Sequence, residues 1–224
     1  LYHTYAIKLD EKAACYTKQA LALNPDDKSL HNTFHNAMHG GRLDWNVANH
    51  SELIAYYQNF IQEHPTITRA YLYLLDNLID DGRLDEAKKV LERRSAVIQD
   101  CFSDFYRLLI HESTHGFQAT CKEYDIYLKE NQEWQAYFLV AERYASHGEY
   151  EEAISLFEKS FELQPKPRYI DQLESIAQLY LRMHQKNEAK HAYKRELQLL
   201  KEEWQQDDSV DVQRVKALLA KCNG

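Results

Sequence analysis

The chain repeats itself. Ala189 follows Ala153 by 36 residues, and Ala87 precedes Ala153 by 66, close to two periods of 33. Each alanine has the same apolar frame. Tyr71, Leu74, Leu75 and Leu78 precede Ala87, with Leu91 after it. Tyr137, Val140, Ala141 and Tyr144 precede Ala153, with Phe157 after it. Leu173, Ile176, Ala177 and Tyr180 precede Ala189, with Tyr193 after it. Spacings of three and four put those residues on one face of a helix. Gly82 and Gly148 stand midway, where a first helix must turn into a second. Periods of this length mark stacked architectures, in which one unit cannot bury its apolar face alone and neighbours bury it together. With only 6 Gly and 4 Pro in 224 residues, the chain also lacks the turn residues that a sheet needs.

The clearest unit is WQAYFLVAERYASHGEYEEAISLFEKSFELQP, from Trp134 to Pro165. It resembles the tetratricopeptide repeat (TPR), whose pattern W-x2-L-G-x2-Y, A-x3-F, P is met by Tyr137, Val140, Ala141, Tyr144, Ala153, Phe157 and Pro165. EKAACYTKQALALNP reads as the second helix of an earlier unit closing on Pro25. KSLHNTFHNAMHGG and SELIAYYQNFIQEHP then give a first and a second helix closing on Pro65, with Ser51 as N-cap. GGRLDWNVANH, residues 40–50, is an inserted loop. The unit around 100–133 is irregular, with Thr120 or Cys121 near its small position. The last second helix runs on through Trp204. Residues 209–222 then form a capping helix with the stripe Val212, Val215, Leu219.

The resemblance implies an all-α fold: a right-handed superhelix of stacked antiparallel helix pairs, about six units in one α-solenoid over residues 1–224. Leu1 already lies inside a helical pattern, so the segment reads as part of a longer protein.

Net charge and cysteine spacing exclude several classes. A charge of −8 opposes a nucleic-acid surface. No apolar run approaches the roughly 20 residues that span a bilayer. Cys15, Cys101, Cys121 and Cys222 are scattered without CxxC spacing, as expected of reduced thiols in a cytoplasmic protein.

One motif pulls toward chemistry. His111-Glu112-x-x-His115 has the spacing with which zinc peptidases hold their metal, and Glu142 and His147 are candidate third ligands. At ~100° per residue, however, Phe102, Phe105, Leu109 and Ser113 share the core face and both histidines point far from it. Gly116 then stops the helix, so His115 lies in its last turn, where an imidazolium suits the helix dipole. The motif is read as a helix end, with no catalytic residue, metal or cofactor assigned. A zinc hydrolase is the remote alternative. His31, His35 and His39 form another i, i+4, i+8 stripe, read as solvated or groove-facing.

The resemblance also implies where ligands dock. In TPR proteins, positions 2, 5, 9, 12 and 13 of each first helix face the concave groove. Here these are Arg69, Leu72, Asp76, Ile79 and Asp80, then Gln135, Phe138, Glu142, Ala145 and Ser146, then Asp171, Glu174, Gln178, Leu181 and Arg182. Asp76, Glu142 and Asp171 would repel a carboxylate, so the expected partner is a basic or amphipathic protein or peptide. A non-catalytic scaffold is expected, read as the sensory or assembly part of a bacterial regulator; a self-associating homodimer is the alternative.

Overall fold

A computed structural model describes residues 2–38 and 50–222, without the side chains of residues 2–11 and 36. The inserted loop expected at 40–50 therefore lies, except for His50, outside the described residues, as does His39. Among the described residues there are twelve helices and no strand. They are α1 (Tyr2–Leu23), α2 (Lys28–Met38), α3 (His50–Glu63), α4 (Thr68–Asp80), α5 (Leu84–Val97), α6 (Cys101–His115), α7 (Phe117–Glu130), α8 (Trp134–Ser146), α9 (Tyr150–Leu163), α10 (Asp171–Arg182), α11 (Lys186–Glu202) and α12 (Val210–Lys221). The chain is an all-α solenoid of helix pairs. It divides into two compact units, residues 1–116 and 117–224.

In the second unit, α8 lies on α9, α9 on α10, α10 on α11 and α11 on α12. The repeating alanines make this possible. Ala141, Ala153, Ala177 and Ala189 are fully buried, so helix axes approach where a larger side chain would hold them apart. Around them Phe157, Phe161, Leu173, Ile176 and Tyr193 fill the space between pairs, and Val212 and Val215 of α12 close the end of the core. Burying each large side chain contributes roughly 1.5–3 kcal/mol.

The first unit follows the same plan: α1 on α2, α3 on α4, α4 on α5 and α5 on α6. Ala70, Tyr71, Leu74, Leu75, Leu78 and Ala87 are buried at the centre. Here α2 and α3 meet through rings, with Phe34 4.5 Å from Tyr56, centroid to centroid. Ser51, expected as an N-cap, is inside α3, which begins at His50.

The turns within pairs share one hydrogen-bond pattern. Arg83 N–H donates to Leu78 O at 2.8 Å, Glu149 N–H to Tyr144 O at 3.0 Å, and Gln185 N–H to Tyr180 O at 2.8 Å. Each closes a helix with one left-handed residue, as in a Schellman motif. Gly82 at φ 72° and Gly148 at φ 84° meet that requirement at no steric cost. No atom crowds a Cβ at either, so backbone angle, not space, calls for glycine. The third turn uses His184 at φ 60°, a strained choice for a side chain with a Cβ.

Buried charges fasten the corners. Arg94 at the end of α5 is buried and donates to both Asp100 oxygens, at 2.7 and 2.8 Å, and to Ser103 Oγ at 2.6 Å. Asp100 also accepts from Ser103 N–H, capping α6. In the second unit Arg168 grips Glu203 through its backbone N–H at 2.8 Å and its guanidinium at 2.6 Å. Arg214 of α12 forks between Glu174 of α10 at 2.7 Å and Glu196 of α11 at 3.2 Å. The expected cap at 209–222 is thus a helix held by charge as well as by its valines. Ser209 caps it by accepting from Val212 N–H. The preceding helix stops at Glu202, short of Trp204, which turns back to donate from Nε1 to Arg168 O at 2.6 Å.

The turn geometry makes a measurable pair. His184→Gly is expected to raise stability by about 0.5–1 kcal/mol and Gly148→Ala to lower it by about 1 kcal/mol. Urea denaturation of the two variants against the parent reads both.

Candidate groove positions on the first helices

The positions implied as groove-lining fall on α4, α8 and α10. All are at least partly accessible, although they alternate with buried neighbours on the same helices. Asp80, Glu142, Ser146, Asp171, Gln178 and Arg182 are exposed. Arg69, Leu72, Asp76, Gln135, Phe138 and Glu174 are half-buried, and several already have partners within the fold. Phe138 meets Phe157 edge-on at 5.4 Å. Glu174 is held by Arg214 and also accepts from Gln178 Nε2 at 3.3 Å.

Asp76 is the most constrained of them. Tyr106 of α6 donates its hydroxyl to Asp76 Oδ1 at 2.5 Å. Withdrawal from water raises the Asp76 carboxyl to about 7, with repulsion from Asp80 adding to the rise and the Tyr106 hydrogen bond opposing it. Tyr106 is pushed up in turn, first by its own burial and then by the neighbouring Asp76.

Beside Asp76 runs a polar network that links three helices. Asn77 is fully buried. Its Nδ2 donates to Tyr73 O at 2.7 Å and lies 3.1 Å from His35 Nε2 on α2; its Oδ1 lies 3.0 Å from His50 Nδ1 on α3. Tyr73 stacks on His31 at 5.7 Å and Tyr57 at 5.4 Å. His31 itself is fully buried, which corrects, for that residue, the reading of the stripe as solvated or groove-facing. Its Nε2 lies 2.8 Å from Pro25 O, an acceptor only, so Nε2 carries the proton and Nδ1 accepts from Tyr57 O–H at 3.3 Å. Burial pushes the His31 pKa down. The sequence carried a signal for this place. His31 stands six residues after Pro25 as Tyr71 stands six after Pro65, and Tyr71 donates to Pro65 O at 3.0 Å.

The HExxH residues of α6 do not converge. Glu112 is buried, His115 is exposed and His111 is half-buried. The two imidazoles stack on each other, centroids 4.2 Å apart at 20°, and His115 Nδ1 lies 3.1 Å from His111 O. Among the described residues no group of three or more His, Cys, Asp or Glu could hold a metal ion. The expected core face was also rotated: Phe105 is buried, but so are Tyr106 and Ile110, while Ser113 is exposed. Gly116 does end the helix, at φ 87°, its N–H donating to Glu112 O at 2.7 Å.

Comparison with known proteins places this architecture. The family model described as tetratricopeptide repeat matches residues 134–167. In that stretch the chain is similar to a tetratricopeptide repeat, and its fold is that of solved proteins built from such repeats. Among solved structures, it is similar in fold to TTC0263, a thermophilic TPR protein in Thermus thermophilus. The two are 13% identical over 95% of this chain and 98% of that one, with a TM-score of 0.51. YrrB, described as a TPR protein with an unusual peptide-binding site, is 16% identical over 85% of this chain and 95% of its own, at TM-score 0.41. MamA is 19% identical over 72% and 88%, at 0.45. No curated protein sequence matches the chain. No helix among the described residues is long and apolar enough to cross a membrane.

A carboxyl raised to about 7 holds its proton more tightly in the fold than in the unfolded chain. Its contribution to stability is complete below about 4 and is lost as pH rises through 7. Asp76→Asn, which still accepts from Tyr106, is therefore expected to gain stability over the parent between pH 5 and pH 8. The expected gain is about 1–3 kcal/mol, read from denaturation at each pH.

Proposed function

We propose that this TPR solenoid is a non-catalytic scaffold that holds a basic or amphipathic protein segment against the first helices of its repeats. The observation that carries this reading is the accessibility of every implied groove position beside fully buried core neighbours. Those neighbours are Tyr71 and Leu74 on α4, Val140 and Ala141 on α8, and Ile176 and Ala177 on α10. A first-helix face that stays accessible beside a buried core face is available for a partner.

The chemistry of the partner follows from which charges face outward. Asp76 is held by Tyr106 and Glu174 by Arg214. Asp80 on α4, Glu142 on α8 and Asp171 on α10 are exposed carboxylates, with Arg182 an exposed cation at the end of α10. Within each unit taken by itself, such outward carboxylates favour lysine- or arginine-bearing segments and disfavour acidic ones, with charge acting more on approach than on final affinity.

The test uses a fluorescein-labelled amphipathic peptide of alternating leucine and lysine blocks, with an acidic counterpart, and anisotropy as readout. The double variant Glu142→Arg/Asp171→Arg is expected to bind the basic peptide about tenfold more weakly and to gain affinity for the acidic one. Equal affinities in parent and variant would remove the groove from the account. Concentration-dependent dimerisation without peptide would favour self-association instead.

A further inference from the structure

A cavity of about 690 Å³ opens between α5 and α6 of the first unit, and it includes none of the groove positions. Leu91, Ala96 and Ile110 line its apolar part. Its volume falls in the range of about 300–1,000 Å³ typical of small-molecule sites, which are apolar with a few placed polar groups. We propose that this cavity binds a small amphiphilic carboxylate, its apolar tail on Leu91, Ala96 and Ile110 and its carboxylate on Arg107 and Lys88.

The charges around the cavity favour an anion. Arg107 and Lys88 line it, against one carboxylate, Glu92. Both cations have acidic neighbours, Asp104 and Asp85, but neither of those lines the cavity. All four side chains are at least about half exposed, and such surface pairs are worth little, so a ligand anion can take their place. Arg107 also reaches from α6 across to α5, with Nη2 3.4 Å from Ser95 Oγ, another lining residue. Its Nη1 is on Asp104, whose place a ligand carboxylate would take on a planar fork suited to it. The stacked imidazoles of His111 and His115 form part of the same wall. On this reading the two histidines of the HExxH motif border a ligand cavity.

The site is independent of the groove, and the experiment separates the two. Decanoate, titrated calorimetrically into the full chain, is expected to bind saturably with one site and a sub-millimolar dissociation constant. Decanol, with the same tail and no charge, is expected to bind at least tenfold more weakly. Arg107→Gln is expected to weaken decanoate about tenfold. Ile110→Asp, at the buried floor, should abolish binding but also destabilises the helix, so Lys88→Gln, at an exposed position, is the second variant, expected to weaken it severalfold. Glu142→Arg/Asp171→Arg should leave decanoate binding unchanged. No saturable binding below about 1 mM, or parent affinity in both Arg107→Gln and Lys88→Gln with helical content intact, would overturn the assignment.

Discussion

The close approach of helices at alanine is the constraint on which the rest of this structure depends. Ala87, Ala141, Ala153, Ala177 and Ala189 are all fully buried. None contributes much apolar area itself. Each lets a neighbouring helix come near enough for Tyr, Phe and Leu side chains to interlock around it, and that interlocking supplies the packing. Because the same crossing recurs about every 34 residues, the same first-helix positions are left outward in successive repeats. Those accessible first-helix positions are the ones proposed to take a partner.

The charged clamps act on a different link of the chain. Arg94, Arg168 and Arg214 each tie a loop or terminal helix to a carboxylate in its own unit. Arg214 is outnumbered: Glu174, Glu196 and Asp211 all lie within reach of it. The excess shows at Glu196, which is fully buried and whose carboxyl is raised to about 7, by burial first and by Glu174 next. Asp76 in the first unit is raised in the same way. Both carboxylates make the fold more tolerant of mild acid than of base, and His31, whose pKa is lowered, works the other way below its ordinary range.

How much was legible depended on whether a residue's role is set by period or by contact. The helix pairs, the glycine turns at 82 and 148, the close-packed alanines and the capping helix all follow from spacing, and spacing is written in the chain. The turn at His184 was not readable, because the hydrogen-bond pattern survives there without the glycine that announces it. Burial of His31 could be inferred only by aligning Pro25 with Pro65, since histidine in a helix stripe otherwise suggests a wet face. The pairing of Asp76 with Tyr106, 30 residues away, and of Glu174 with Arg214, 40 away, depends on how helices of different repeats approach. The charge left outward at the proposed partner positions is therefore legible only in the folded chain. The HExxH pentapeptide shows the converse: correct spacing, but a buried glutamate and two rings stacked on each other.

Small side chains at the helix crossings set the distance on which packing in each unit relies. Replacing Ala177 by Leu keeps helix propensity and adds apolar area, so propensity and hydrophobicity alone would leave stability equal or higher. Guanidinium denaturation combined with amide hydrogen exchange should show a loss of about 1–3 kcal/mol, with faster exchange in α9, α10 and α11. An Ala177→Leu protein as stable as the parent, with unchanged protection in those three helices, would contradict the account.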